Sequence, residues 1–239
     1  MPRPIHLLHD AATLARMLAI EAPCCTHIAM PTNMATARGA PQAWGAFIDG
    51  NPLGGNWIAD AEAPARRIVS YSGTLADEPF GDDPRTWMRA GHERFKAFCD
   101  EVEPALRAHG RTLCFRPHHR HVLGDVHASV KFLRDRASGP FEVLLSPADL
   151  LAPSMLAQAE DHLTRMFAHL GPVAAAVLLA DCAPNAETGE NGLLSMSRLG
   201  EGALPMPLLS RLIAEFVPAE TPIVLLPGAV EHQRQAVGL

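Results

Sequence analysis

The sequence predicts an α/β fold, a compact (β/α)8 barrel over residues 1–239 with an irregular N-terminal third. Three observations predict it. Short apolar runs rich in β-branched residues alternate with longer segments whose apolar positions recur every three or four residues, the pattern of helices packed on a parallel sheet through right-handed crossovers. One run, Val173–Ala180 (VAAAVLLA), is apolar throughout, as befits a strand covered on both faces. The length of 239 residues lies close to the roughly 250 that eight such units take as one domain.

Ile5–Leu8 reads as the first strand, with Asp10 capping a helix that carries Leu14, Met17 and Leu18. Thr26–Met30 and Trp57–Ala59 read as strands two and three. Between them lies a Gly/Pro-rich stretch, Gly39–Gly55, with one short helical segment over Gln42–Ile48. Arg67–Ser72 is the fourth strand and ends at Gly73. Pro84–His109 is a long helix, with Met88, Phe95, Phe98, Val102 and Leu106 on one face and Gly110 at its C-terminal cap. Thr112–Arg116 is the fifth strand, and Asp125 caps a helix burying Val126, Val130 and Leu133. Phe141–Leu145 is the sixth, followed by a helix over Ser154–Leu170. After Val173–Ala180 come a polar loop, a helix over Pro205–Val217 and a last strand, Pro222–Leu226. Eight strands in this length favour a closed barrel, a TIM barrel, over an open sheet.

Composition narrows the function classes. A formal charge of −6 with no basic stripe argues against a nucleic-acid partner. The longest apolar run, Pro172–Ala180, is far short of the ~20 residues that span a bilayer, so no membrane role is expected. Asp10 and Arg16 interrupt any signal-peptide core. Five cysteines, two of them adjacent (Cys24 and Cys25) and none in a C-x-x-C pair, suggest no disulfide framework and point to a reducing, cytoplasmic setting. No glycine-rich nucleotide motif is present: Gly50–Gly55 lacks the lysine and the following helix.

In a parallel barrel the active site is built on the C-terminal strand ends. Here those ends carry Arg116-Pro-His-His-Arg-His121, Ser146-Pro-Ala-Asp149, Asp181 and Pro227-Gly228. Leu113-Cys-Phe-Arg-Pro-His118 followed by Leu123-Gly-Asp-Val, then Leu144-Leu-Ser-Pro-Ala-Asp-Leu-Leu151, Val177-Leu-Leu-Ala-Asp181 and Arg198-Leu-Gly-Glu-Gly202 together resemble the xylose isomerase-like sugar phosphate isomerase/epimerase family over residues 67–228. The resemblance implies a barrel acting by proton transfer alpha to a carbonyl on a divalent metal. It places His118, Asp181, Arg198 and Glu201 at matching positions. At the metal positions, however, Arg116 stands for the first Glu, Ser146 for the Asp, Asp149 for the His, Leu178 for a second His and Leu226 for the last Glu. A guanidinium cannot deprotonate to become a ligand and repels a cation. The expected site therefore lacks metal and cofactor.

Three readings follow. In the first, a small sugar-like or anionic molecule binds through Arg116, Asp181, Arg198 and Glu201, and Asp149 and His118 move protons. Against it stands a purely structural ion pair between Arg116 and Asp149 or Asp181. In the second, His119 and His121, with Asp149 or Asp181, rebuild a metal site. In an extended segment His119 and His121 share a face and His118 points away, so the three converge only if the loop turns. In the third, the barrel is a non-catalytic interaction or regulatory module, with Trp44 or Trp57 marking a partner surface unless both close the core. A homodimer is compatible with all three. Cys114 and Cys182 read as small buried hydrophobes rather than nucleophiles, and His127, His162 and His169 as surface helix residues.

Overall fold

Asp10 ends the first strand and begins the first helix, because its Oδ1 accepts the Thr13 N–H at 2.7 Å. The protein is seen in a computed structural model that describes residues 3–18, 25–32, 43–55, 57, 65–185 and 192–239. In chain order its elements are β1 (Ile5–Asp10), α1 (Ala11–Leu18), β2 (His27–Pro31), β3 (Gly45–Phe47), β4 (Arg67–Tyr71), α2 (Arg89–Ala108), β5 (Thr112–Arg116), α3 (Val126–Asp135), β6 (Phe141–Leu145), α4 (Pro147–Leu150), α5 (Ala159–Leu170), β7 (Ala176–Leu179), β8 (Asp181–Pro184), β9 (Leu194–Ser197), α6 (Met206–Phe216), β10 (Ile223–Leu225) and α7 (Val230–Ala236).

Eight strands close into a barrel in the order β1-β10-β7-β6-β5-β4-β3-β2, and β8 and β9 form a separate antiparallel hairpin. Six of the barrel pairings are parallel, whereas β2 runs antiparallel to both β1 and β3. The expectation of an all-parallel sheet is corrected here. His27 pairs with Asp10 at the top of β1, and the Ala11 N–H donates to the Thr26 carbonyl at 2.9 Å. The chain thus re-enters the sheet at the end it left. The third strand is also corrected: it is Gly45–Phe47, inside the segment read as helical. All three of its residues are buried, which leaves no polar face for a helix, and at Gly45 a Cβ would lie 3.0 Å from Val69 Cγ2. Trp57 lies outside any strand, and residues 58 and 59 lie outside the described residues.

Both long predicted helices begin later than expected, behind 3₁₀ turns at Pro84–Trp87 and Pro153–Gln158. A proline at the first helical position supports such a start, because it fixes φ and has no N–H to leave unbonded. The β8–β9 hairpin and α7 were not expected from the sequence.

The lumen is filled by Leu8, Ala29, Phe47, Val69, Cys114, Leu144, Ala176, Leu178 and Val224. Two further apolar clusters lie outside it, between strands and helices. Trp44 and Trp57, expected either at a partner surface or in the core, are partly buried and pack against the core clusters. The Trp44 ring lies under the Arg67 guanidinium, 4.6 Å from its Cζ. Trp57 donates from Nε1 to Ser70 Oγ at 2.8 Å and meets Phe98 edge-on. Two residues below the lumen layer, toward the N-terminal strand ends, Arg67 pairs with Glu142 at 2.5 Å. No helix among the described residues is long and apolar enough to cross a membrane.

Candidate functional site

Strand alternation carries the lumen face up to the C-terminal strand ends. Two residues beyond Val69, Cys114 and Leu144 stand Tyr71, Arg116 and Ser146. Across the barrel, Asp10 and its register partner His27 continue the face of Leu8 and Ala29, and Asp49 follows Phe47.

Arg116 and Asp149 form the centre of this mouth. Arg116 Nε donates to Asp149 Oδ2 at 2.5 Å and Nη2 donates to Oδ1 at 3.1 Å, a bidentate fork. The side chains are 12% and 6% exposed, so the pair is nearly withdrawn from water. The guanidinium lies 4.9 Å over the Tyr71 ring, and its Nη2 also reaches Met196 Sδ at 3.2 Å, on the hairpin. Burial alone would lower the Arg116 pKa, but the adjacent Asp149 carboxylate outweighs it and raises it. Burial, with Asp149, pushes the Tyr71 phenol up, so it stays protonated. Of the two acidic residues proposed as partners of Arg116, the structure brings Asp149 to it.

Asp181 serves a turn. Its Oδ1 accepts the Cys182 and Leu204 N–H groups at 2.8 and 2.9 Å, and its Oδ2 accepts those of Gly200 and Gly202 at 3.2 and 2.8 Å. At Gly202 a Cβ would fall 2.5 Å from Oδ1, so the close approach of this turn requires glycine. Arg198 and Glu201 pair with each other at 3.1 Å near the rim, both close to half exposed, and Arg198 Nε also donates to the Pro227 carbonyl at 3.0 Å.

The histidines after β5 pack on one another because the loop turns. The His121 N–H donates to the His118 carbonyl at 2.8 Å, the turn that the sequence left open as the condition for the three rings to converge. His118 stacks 4.5 Å from His119, and His118 and His121 both lie against Phe80 and Tyr71. His118 Nδ1 accepts the Arg120 N–H at 3.1 Å, and His121 Nδ1 accepts that of Gly73 at 3.2 Å. Burial holds His118 well below the usual imidazole range and His121 at about 4, so both rings are neutral. His119 Nδ1 donates to the Asp149 carbonyl at 3.1 Å. Among the described residues, no three His, Cys, Asp or Glu side chains gather in a way that could hold a metal ion.

His27 and Asp49, both exposed, were not singled out in the sequence. Burial, then Arg116, lowers the His27 pKa, against the opposing effect of Asp10 and Asp49. The β2 strand that carries His27 runs antiparallel, so the residue at the mouth is its first, not its last. A search of C-terminal strand ends passes over it.

No protein-family model and no curated protein matches the sequence. Among solved structures the chain is similar to an L-ribulose 3-epimerase, with a TM-score of 0.51 and 14% identity over 82% of this chain and 66% of that one. It is also similar to a xylose isomerase-like TIM barrel protein from Mycobacterium smegmatis in complex with magnesium (TM-score 0.46, 12% identity, 73% and 60% covered). A third is endonuclease IV from Thermus thermophilus (TM-score 0.46, 14% identity, 73% and 60% covered). The chain spans less than two thirds of the length of these structures. The likeness to the epimerase is one of fold, a closed α/β barrel of the TIM type.

Proposed function

We propose that this chain is a sugar isomerase/epimerase-like barrel whose mouth binds a small neutral polyhydroxy ligand without a divalent metal. The observation that carries this reading is the buried bidentate pair of Arg116 and Asp149. A permanent cation held by one carboxylate fits neither the charge nor the donor geometry of a magnesium or manganese site, which asks for several oxygen ligands. The same pair presents N–H donors and carboxylate acceptors to a ligand hydroxyl. The carboxylates of Asp10 and Asp49 stand on the other side, so the mouth is net acidic once Asp149 has answered Arg116. That balance favours an uncharged sugar over a phosphate. For proton movement the open group is His27, a neutral imidazole facing the mouth, since Asp149 is held by Arg116 and His118 Nδ1 by a backbone N–H. The buried thiols of Cys99, Cys114 and Cys182, outside any disulfide among the described residues, fit a reducing, cytoplasmic setting.

A second reading, a barrel that binds without turnover, is favoured by one observation: both acid/base candidates taken from the strand ends are occupied within the fold. Titration calorimetry with L-ribulose and D-fructose, and with their phosphate esters, tests the ligand class. The neutral ketoses bind and the esters bind at least about tenfold more weakly, because like charges meet at the rim. Tighter binding of the esters would overturn the neutral-ligand reading. Exchange of ketose protons with deuterated water, followed by NMR, separates turnover from binding alone.

A further inference from the structure

Ser146 follows β6 and keeps an extended backbone, with φ −123° and ψ 94°. Leu144 lies in the lumen and Leu145 in the outer core, so alternation turns the Ser146 side chain inward, above Leu144 and toward the mouth. The residue is fully buried, and among the described residues its Oγ has no hydrogen-bond partner. Its carbonyl, by contrast, is engaged, accepting the Asp149 and Leu150 N–H groups at 3.2 and 3.4 Å, so the main chain beneath the hydroxyl is fixed. A buried hydroxyl left unpaired destabilises a fold and calls for an explanation. The neighbouring strand supplies a second under-used donor. Among the described residues, the partners of Arg116 Nη2 are Asp149 and the weak thioether acceptor of Met196.

We infer that Ser146 is a specificity-determining residue of the mouth, which together with Arg116 receives one oxygen of a neutral ketose, its carbonyl or the adjacent hydroxyl. The inference rests on the neutral-polyol reading above and deepens it. A serine hydroxyl both donates and accepts, so it suits a carbonyl or hydroxyl oxygen. The Met196 side chain is flexible and its acceptor weak, so a ligand oxygen displaces it from Nη2 at little cost.

The test is Ser146→Ala, read in two ways. Thermal unfolding without ligand gives a midpoint equal to or above that of the wild type, since an unpaired hydroxyl has been removed. Calorimetry with L-ribulose and D-fructose gives affinity about tenfold weaker, the loss of one hydrogen bond. Unchanged affinity would overturn the inference. So would a lowered midpoint, which would show that the hydroxyl supports the fold. If the wild type binds neither ketose, the neutral-polyol reading fails first, before any variant is compared, and the inference falls with it.

Discussion

Acidification destabilises this protein through His121, whose two ring nitrogens are both committed. Its Nδ1 accepts the Gly73 N–H and its Nε2–H donates to the Pro79 carbonyl at 2.8 Å. An amide N–H can only donate, so Nδ1 must carry no proton. Protonating it would set two N–H groups against each other inside an aromatic cluster with Phe80, Tyr71 and His118. Burial takes the pKa from 6.5 to about 4, against the smaller opposing effect of the Pro79 bond. Above 6.5 the folded and unfolded chains are both neutral at this ring and pH has no effect through it. Below 6.5 the unfolded chain takes a proton that the folded chain refuses, and stability falls until the pH reaches about 4. At about 1.4 kcal/mol per unit, the loss across that window is about 3 kcal/mol. The assay is urea unfolding between about pH 7.5 and pH 4.5, comparing the wild type with His121→Gln. Subtraction removes the carboxylates common to both. The wild type's stability relative to the variant shrinks by about 2–3 kcal/mol as the pH falls. A gap that stays constant over this range would refute the reasoning.

Further expectations follow from the same contacts. Asp149→Asn leaves the Arg116 cation buried without its counter-charge and costs about 3–5 kcal/mol in urea unfolding, whereas Arg116→Met combined with Asp149→Leu recovers most of that loss. Asp181→Ala strips the acceptor from four backbone N–H groups and lowers stability by about 3 kcal/mol. Arg198→Ala, on the half-exposed rim, changes stability by less than about 1 kcal/mol in the same assay. Burial raises the thiols of Cys99 and Cys182 to about 12, and that of Cys114 well above its usual value. Iodoacetamide at pH 8 therefore leaves these three unmodified in the native protein and reaches them in urea, as peptide mass mapping reads directly.

From β4 onward the barrel is legible in the sequence, because each strand is a short apolar run; the helix faces are read less well, since Met88 and Val130, expected on buried faces, are exposed. Arg116 and Asp149 are legible too, since one ends a readable strand and the other closely follows one. The N-terminal third is not. Periodicity tells strand from helix but carries no direction, so nothing in His27–Pro31 announces that it runs against its neighbours. Gly45–Phe47 is too short for any period to show. Because β2 is reversed, His27 reaches the mouth from the strand's first residue, where a reading of C-terminal ends does not look. Asp181 illustrates a different limit. Its place at a strand end suggests a ligand contact, but the backbone amides that claim its oxygens come from residues 182 to 204, and only the folded turn brings them there. The histidine run needed the turn at His118–His121 before its packing could be seen.

The central claim, a sugar site that works through Arg116 and Asp149 rather than through a metal, is tested most directly by titrating L-ribulose into the protein after exhaustive EDTA treatment, with elemental analysis of the same sample, and again with added Mn²⁺. The account predicts metal-free protein that binds the ketose with the same affinity in both titrations. Binding that appears only with Mn²⁺, or a stoichiometric metal surviving purification, would contradict it.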